Sequence, residues 1–135
     1  MIKGLRSRRC LLVWDEVESL LQPGQLAGNY RVKEPLIKAS LYKNLGWAYF
    51  ELDQNERAKQ YLLCSIEESN DRAAPYCLLA QIQEEEGDNL GAKAAWQNCL
   101  NYDSKQSRTY KEPWVWPELE IWRVMAYAYL NRSSN

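Results

Sequence analysis

Tyr42-Lys43-Asn44-Leu45-Gly46 is answered 34 residues later by Tyr76-Cys77-Leu78-Leu79-Ala80, where an aromatic, a Leu and a small residue return in the same places. Ala58, Leu62 and Ser65 return at the same interval as Ala92, Trp96 and Cys99, so six positions keep one period. A fixed period of this length marks a chain built from repeated supersecondary units. Small residues such as Gly46, Ala58, Ala80 and Ala92 let two helix axes approach, while Tyr42, Leu62, Tyr76 and Trp96 fill the space between them. The pattern therefore predicts paired helices and an all-α chain.

Turn chemistry falls where such pairs need it. Glu84-Glu85-Glu86-Gly87-Asp88-Asn89 reads as a helix end, a glycine turn and a new polar start. In the first unit Asp53-Gln54-Asn55 serves the same purpose through residues that tolerate turn conformations. A third unit follows after a delay: Ile121-Trp122-x-x-Met125-Ala126-Tyr127-Ala128-Tyr129-Leu130 overlays Leu41-Tyr42-x-x-Leu45-Gly46-Trp47-Ala48-Tyr49-Phe50, at an offset of 46 from the second unit. Only its first helix is present, and the polar stretch from Asn131 to Asn135 reads as a solvated tail.

These residues resemble the tetratricopeptide repeat, a 34-residue helix-turn-helix that stacks into superhelical arrays. The resemblance implies a short right-handed α-solenoid in a single domain spanning 1–135, with repeats at 39–72 and 73–106, a Trp/Pro insertion at 107–118 and a half repeat or capping helix at 119–132. Three residues depart from the family pattern, at two positions of the repeat. Asn70 and Ser104 stand where a proline commonly ends the repeat, and Gln83 stands where the second unit should carry an aromatic. Upstream, Cys10, Val13, Trp14, Val17, Leu20 and Leu21 keep helical spacing until Gln22-Pro23-Gly24 stops the run, which predicts an N-terminal helix at 9–22. Gln25 to Glu34 then reads as a connecting loop, and Pro35 suits the first turn of the next helix.

The bulk composition narrows function. Seventeen basic and eighteen acidic residues leave a net charge of -1, so no global field recruits nucleic acid or an anionic membrane. Apolar runs fall far short of the ~20 residues that span a bilayer. No histidine occurs, and neither a phosphate-binding glycine loop nor a metal-ligand pair replaces it, so no enzyme activity, catalytic residue, cofactor or metal is expected. The four cysteines, Cys10, Cys64, Cys77 and Cys99, sit where helices want small apolar residues and are read as reduced buried thiols of a cytoplasmic protein. The basic cluster Lys3, Arg6, Arg8 and Arg9 leaves open a membrane-attached parent chain.

By the resemblance, the first helix of each unit lines a concave groove that binds a partner protein or peptide. The groove residues would be Lys43, Trp47 and Phe50 from the first unit, Gln81 and Glu84 from the second, and Arg123 and Tyr127 from the third. Lys43 and Arg123 suit a ligand's carboxylates, and the rings suit its apolar side chains. Trp47 and Tyr127 either grip such a ligand or pack on neighbouring helices. Trp114 and Trp116, flanked by Pro113 and Pro117, either staple the last helix to the second repeat or contact a partner. The clamp of Lys, Arg and Asn that chaperone-tail binders use is not matched. The expected function is thus a protein-protein interaction scaffold, with a self-assembling homo-oligomer or a regulatory terminal domain of a larger signalling or membrane-associated protein as alternatives.

Overall fold

In the computed structural model, Cys10, Leu12 and residues 35–109 and 117–134 are described. Among them the chain is all-helical: α1 (Pro35–Glu51), α2 (Asn55–Glu68), α3 (Ala73–Glu85), α4 (Asn89–Thr109) and α5 (Pro117–Ser133). None of these helices is long and apolar enough to cross a membrane. Cys10 and Leu12 are helical, and the rest of the N-terminal helix expected at 9–22, with the loop behind it, lies outside the described residues. Trp114 and Trp116 also lie outside them. Residues 107–109 continue α4 and Pro117 and Glu118 open α5, so the segment between the two helices is shorter than the insertion expected at 107–118.

The 34-residue period is written into the backbone as well as the side chains. Asp53 (φ 57°) and Gly87 (φ 76°) are the positive-φ residues among those described, and they stand one period apart. Each ends a helix in the same way. Gln54 N–H donates to the Tyr49 carbonyl and Asp88 N–H to the Gln83 carbonyl, both at 2.9 Å, which closes the chain around a left-handed residue. Glycine reaches that conformation freely and Asp at modest cost, which explains the choice of residues. The turns are so short that α2 runs antiparallel to α1 and α4 antiparallel to α3.

Packing follows the predicted alternation. Ala58, Leu62, Ser65, Ala92, Trp96 and Cys99 are all buried, as are Gly46, Ala80 and Ala126, one in each first helix. A Cβ on Gly46 would lie 2.8 Å from the Leu62 side chain and 3.2 Å from the Ala58 carbonyl oxygen, so α1 meets α2 at that point. Ser65 Oγ, buried, donates to the Ala39 carbonyl at 2.7 Å and holds the far ends of the same two helices together. α1 packs chiefly on α2, and α3 on α4; α3 also touches α1, α2 and α5.

The cysteines depart from the expectation of reduced thiols. Cys10 pairs with Cys64, and Cys77 with Cys99, leaving no free cysteine. The positions are small and apolar, as the sequence suggests, but they face one another: the Cα atoms of Cys77 on α3 and Cys99 on α4 are 4.9 Å apart, and those of Cys10 and Cys64 are 5.5 Å apart. Loop-closure entropy for separations of 22 and 54 residues amounts to about 3 and about 4 kcal/mol respectively.

Two measurements check this packing. Thiol titration of the denatured, unreduced chain should detect no free thiol and, after reduction, all four, with a clear fall in the thermal midpoint. Gly46→Val should cost about 2 kcal/mol in denaturant unfolding, because Leu62 is fully buried and cannot retreat.

Candidate functional site

The first helices of the three units, α1, α3 and α5, carry the residues expected to line a groove. α1 and α5 each contact α3 and also meet through their aromatic rings. The indoles of Trp47 and Trp122 stand edge to face with centroids 5.2 Å apart, an arrangement that contributes about 0.5–1.5 kcal/mol beyond the area it buries. Trp47 is half-buried and donates its Nε1–H to Glu51 at 3.1 Å. The Lys43 ammonium lies 5.9 Å from the Trp47 ring centroid. Burial pushes the Lys43 pKa down, and the nearby Glu118 carboxylate offsets part of that fall. Lys43, Trp47, Glu118 and Trp122 thus form one cluster between α1 and α5.

The other expected residues are placed differently. Phe50 packs against the main core. Gln81 turns its Nε2 back to the Cys77 carbonyl at 3.1 Å. Arg123 does not present its guanidinium to the groove cluster, because Nε donates to the buried Asp103 carboxylate of α4 at 2.7 Å. That hydrogen bond raises the Arg123 pKa. Tyr127 is 55% exposed.

Glu84, Glu85 and Glu86, at the end of α3, do fan out as consecutive helical residues must, but each finds a partner. Glu84 accepts from Trp96 Nε1 at 3.1 Å and from Arg132 at 3.4 Å, which joins α3 to α4 and α5. Glu85 accepts from Asn55 at 3.3 Å and Glu86 from Lys59 at 2.8 Å, both on α2. Carboxylates are unfavourable at a helix C-terminus, where the macrodipole is negative, so these donors neutralise a local cost while they tie three helices to α3.

Trp122, Glu118 and Asp103 are members of this region that the groove pattern alone does not select. Trp122 shares the register of Tyr42 and reads as core filling, and only the approach of α1 to α5 turns it toward Trp47. Among the described residues, no group of three or more His, Cys, Asp or Glu side chains is arranged to hold a metal ion. Comparison with family models, with curated proteins and with solved structures finds no match.

The Arg123–Asp103 pair gives the sharpest energetic test of this region. Arg123→Ala strands a carboxylate that is 10% exposed and should cost about 2 kcal/mol, below the ~3–5 of a wholly buried pair because the Arg side chain is 37% exposed. Asp103→Asn keeps an acceptor and should cost less; urea unfolding of both variants checks the order.

Proposed function

We propose that this chain is a non-enzymatic scaffold of tetratricopeptide-like repeats, stacked as a short right-handed solenoid, that holds a partner protein or peptide against α1, α3 and α5. The observation that carries the reading is the 34-residue recurrence of both the left-handed turn residues, Asp53 and Gly87, and the buried small and large side chains around them. A repeat of this kind places its first helices side by side, and the exposed Tyr127 ring together with the Trp47 edge offers rigid, amphipathic contact area for a bound segment. Arg123 is committed to Asp103, so selectivity for the bound segment would rest on ring contacts more than on a two-cation clamp.

The paired cysteines support a working place in an oxidising compartment, in preference to the cytoplasmic one read from the sequence. Disulfides persist where thiols are not continually reduced, and here they lock each second helix to a neighbouring segment.

Selection from a peptide array followed by anisotropy titration tests the groove. Tyr127→Ala should weaken the selected peptide about tenfold or more while leaving the unfolding midpoint unchanged, since that residue is over half exposed. Equal affinity for the folded variant, or no peptide selected at all, would sink the proposal.

A further inference from the structure

α5 carries an apolar stripe that faces away from the other described helices. Ile121 is 60% exposed, Val124 69% and Met125 36%, and Ala128 is exposed beside them. Their spacing of three, one and three residues puts all four on one side of a helix. The internal repeat shows what this side is for. The same register on α3, 46 residues earlier, is occupied by Pro75, Leu78, Leu79 and Ile82, and all four are buried. α4 meets α3 on the opposite side, where Cys77 is bonded to Cys99, so these four residues are covered from elsewhere in the fold. α5 therefore presents a face that, in the preceding unit, is covered by packed helices. The face is also widened relative to α1, which has the exposed polar Asn44 where α5 has Val124.

We infer that the α5 stripe is a self-association surface, on which α5 of a second copy packs antiparallel about a two-fold axis between Val124 and Met125. A two-fold sets Ile121 of each copy against Ala128 of the other, large against small. Charge agrees with this direction. The first turn of α5 holds the exposed Glu120, and its last turn holds Arg132, whose side chain keeps 72% exposure beside its contact with Glu84. Antiparallel pairing brings each Arg132 within a turn of the other copy's Glu120, whereas parallel pairing stacks like charges. A net charge of -1 puts little repulsion in the way. This surface is separate from the ring cluster of Trp47 and Trp122, so either proposal can fail alone.

Sedimentation equilibrium over a wide concentration range should show a monomer–dimer equilibrium. The double variant Val124→Glu with Met125→Glu, folded by circular dichroism, should stay monomeric throughout. Engineered thiols report direction, because every native cysteine is already paired. An Ile121→Cys chain mixed with an Ala128→Cys chain should form an oxidised heterodimer in far higher yield than either chain alone. A strict monomer, a dimer indifferent to the two glutamates, or cross-linking of Ile121→Cys chiefly to itself would each overturn the inference. So would a monomer that instead takes up an added amphipathic peptide on this stripe.

Discussion

The arrangement depends on the burial of α3. Ala73, Pro75, Cys77, Leu78, Leu79, Ala80 and Ile82 are all buried, so this helix is apolar around most of its circumference, and such a helix is stable only when enclosed. It touches each of the other four helices. Its small residues, Ala73, Cys77 and Ala80, keep several axes close at once, and charge is deferred to its last turn. There the three glutamates reach outward to α2, α4 and α5, so the end of the most buried helix is also where polar contacts fix the angles of its neighbours.

The period was legible because packing imposes it on residue size. A position that must be small, as at Gly46 and Ala80, is small in every unit, and that shows in one dimension. Helix ends were legible for the same reason: Asp53 and Gly87 meet a backbone demand that few residues satisfy. Pairings between units were not legible. Periodicity says that Cys77 and Cys99 point inward, but whether they point at each other depends on the rotation of α4 about its axis. That rotation is set by Trp96, Ala92 and the Glu84 contact together.

The candidate site shows the same division. That Trp47 is an amphipathic ring about one turn from the end of α1 follows from its register, and that it meets Trp122 does not, because this contact requires α1 and α5 to converge beside α3. The register of Arg123 matches that of Lys43, which by itself points to a ligand contact. Its partner Asp103 lies on the extended part of α4, beyond the point at which α2 ends in the first unit, so the repeat gives no precedent for the pair. Where one unit departs from the other, sequence periodicity loses its authority.

The two ends of the chain of helices are treated unequally. At the first, Cys10 is tied to Cys64, accepts a hydrogen bond at its carbonyl from Tyr42 and is buried in a second cluster with these two residues and Tyr61. At the other, the outer side of α5 carries Ile121, Val124 and Met125. A helix that served only to close a stack would turn a polar face outward. α5 has the inner face of such a helix, with Trp122, Ala126 and Tyr129 buried against its neighbours, but not the outer one. Its exposed side keeps the apolar register of α3 without the helices that cover α3. Burying such a face is favourable at roughly 25 cal/mol per Å² of apolar surface, which is the driving force that would hold a second copy against α5.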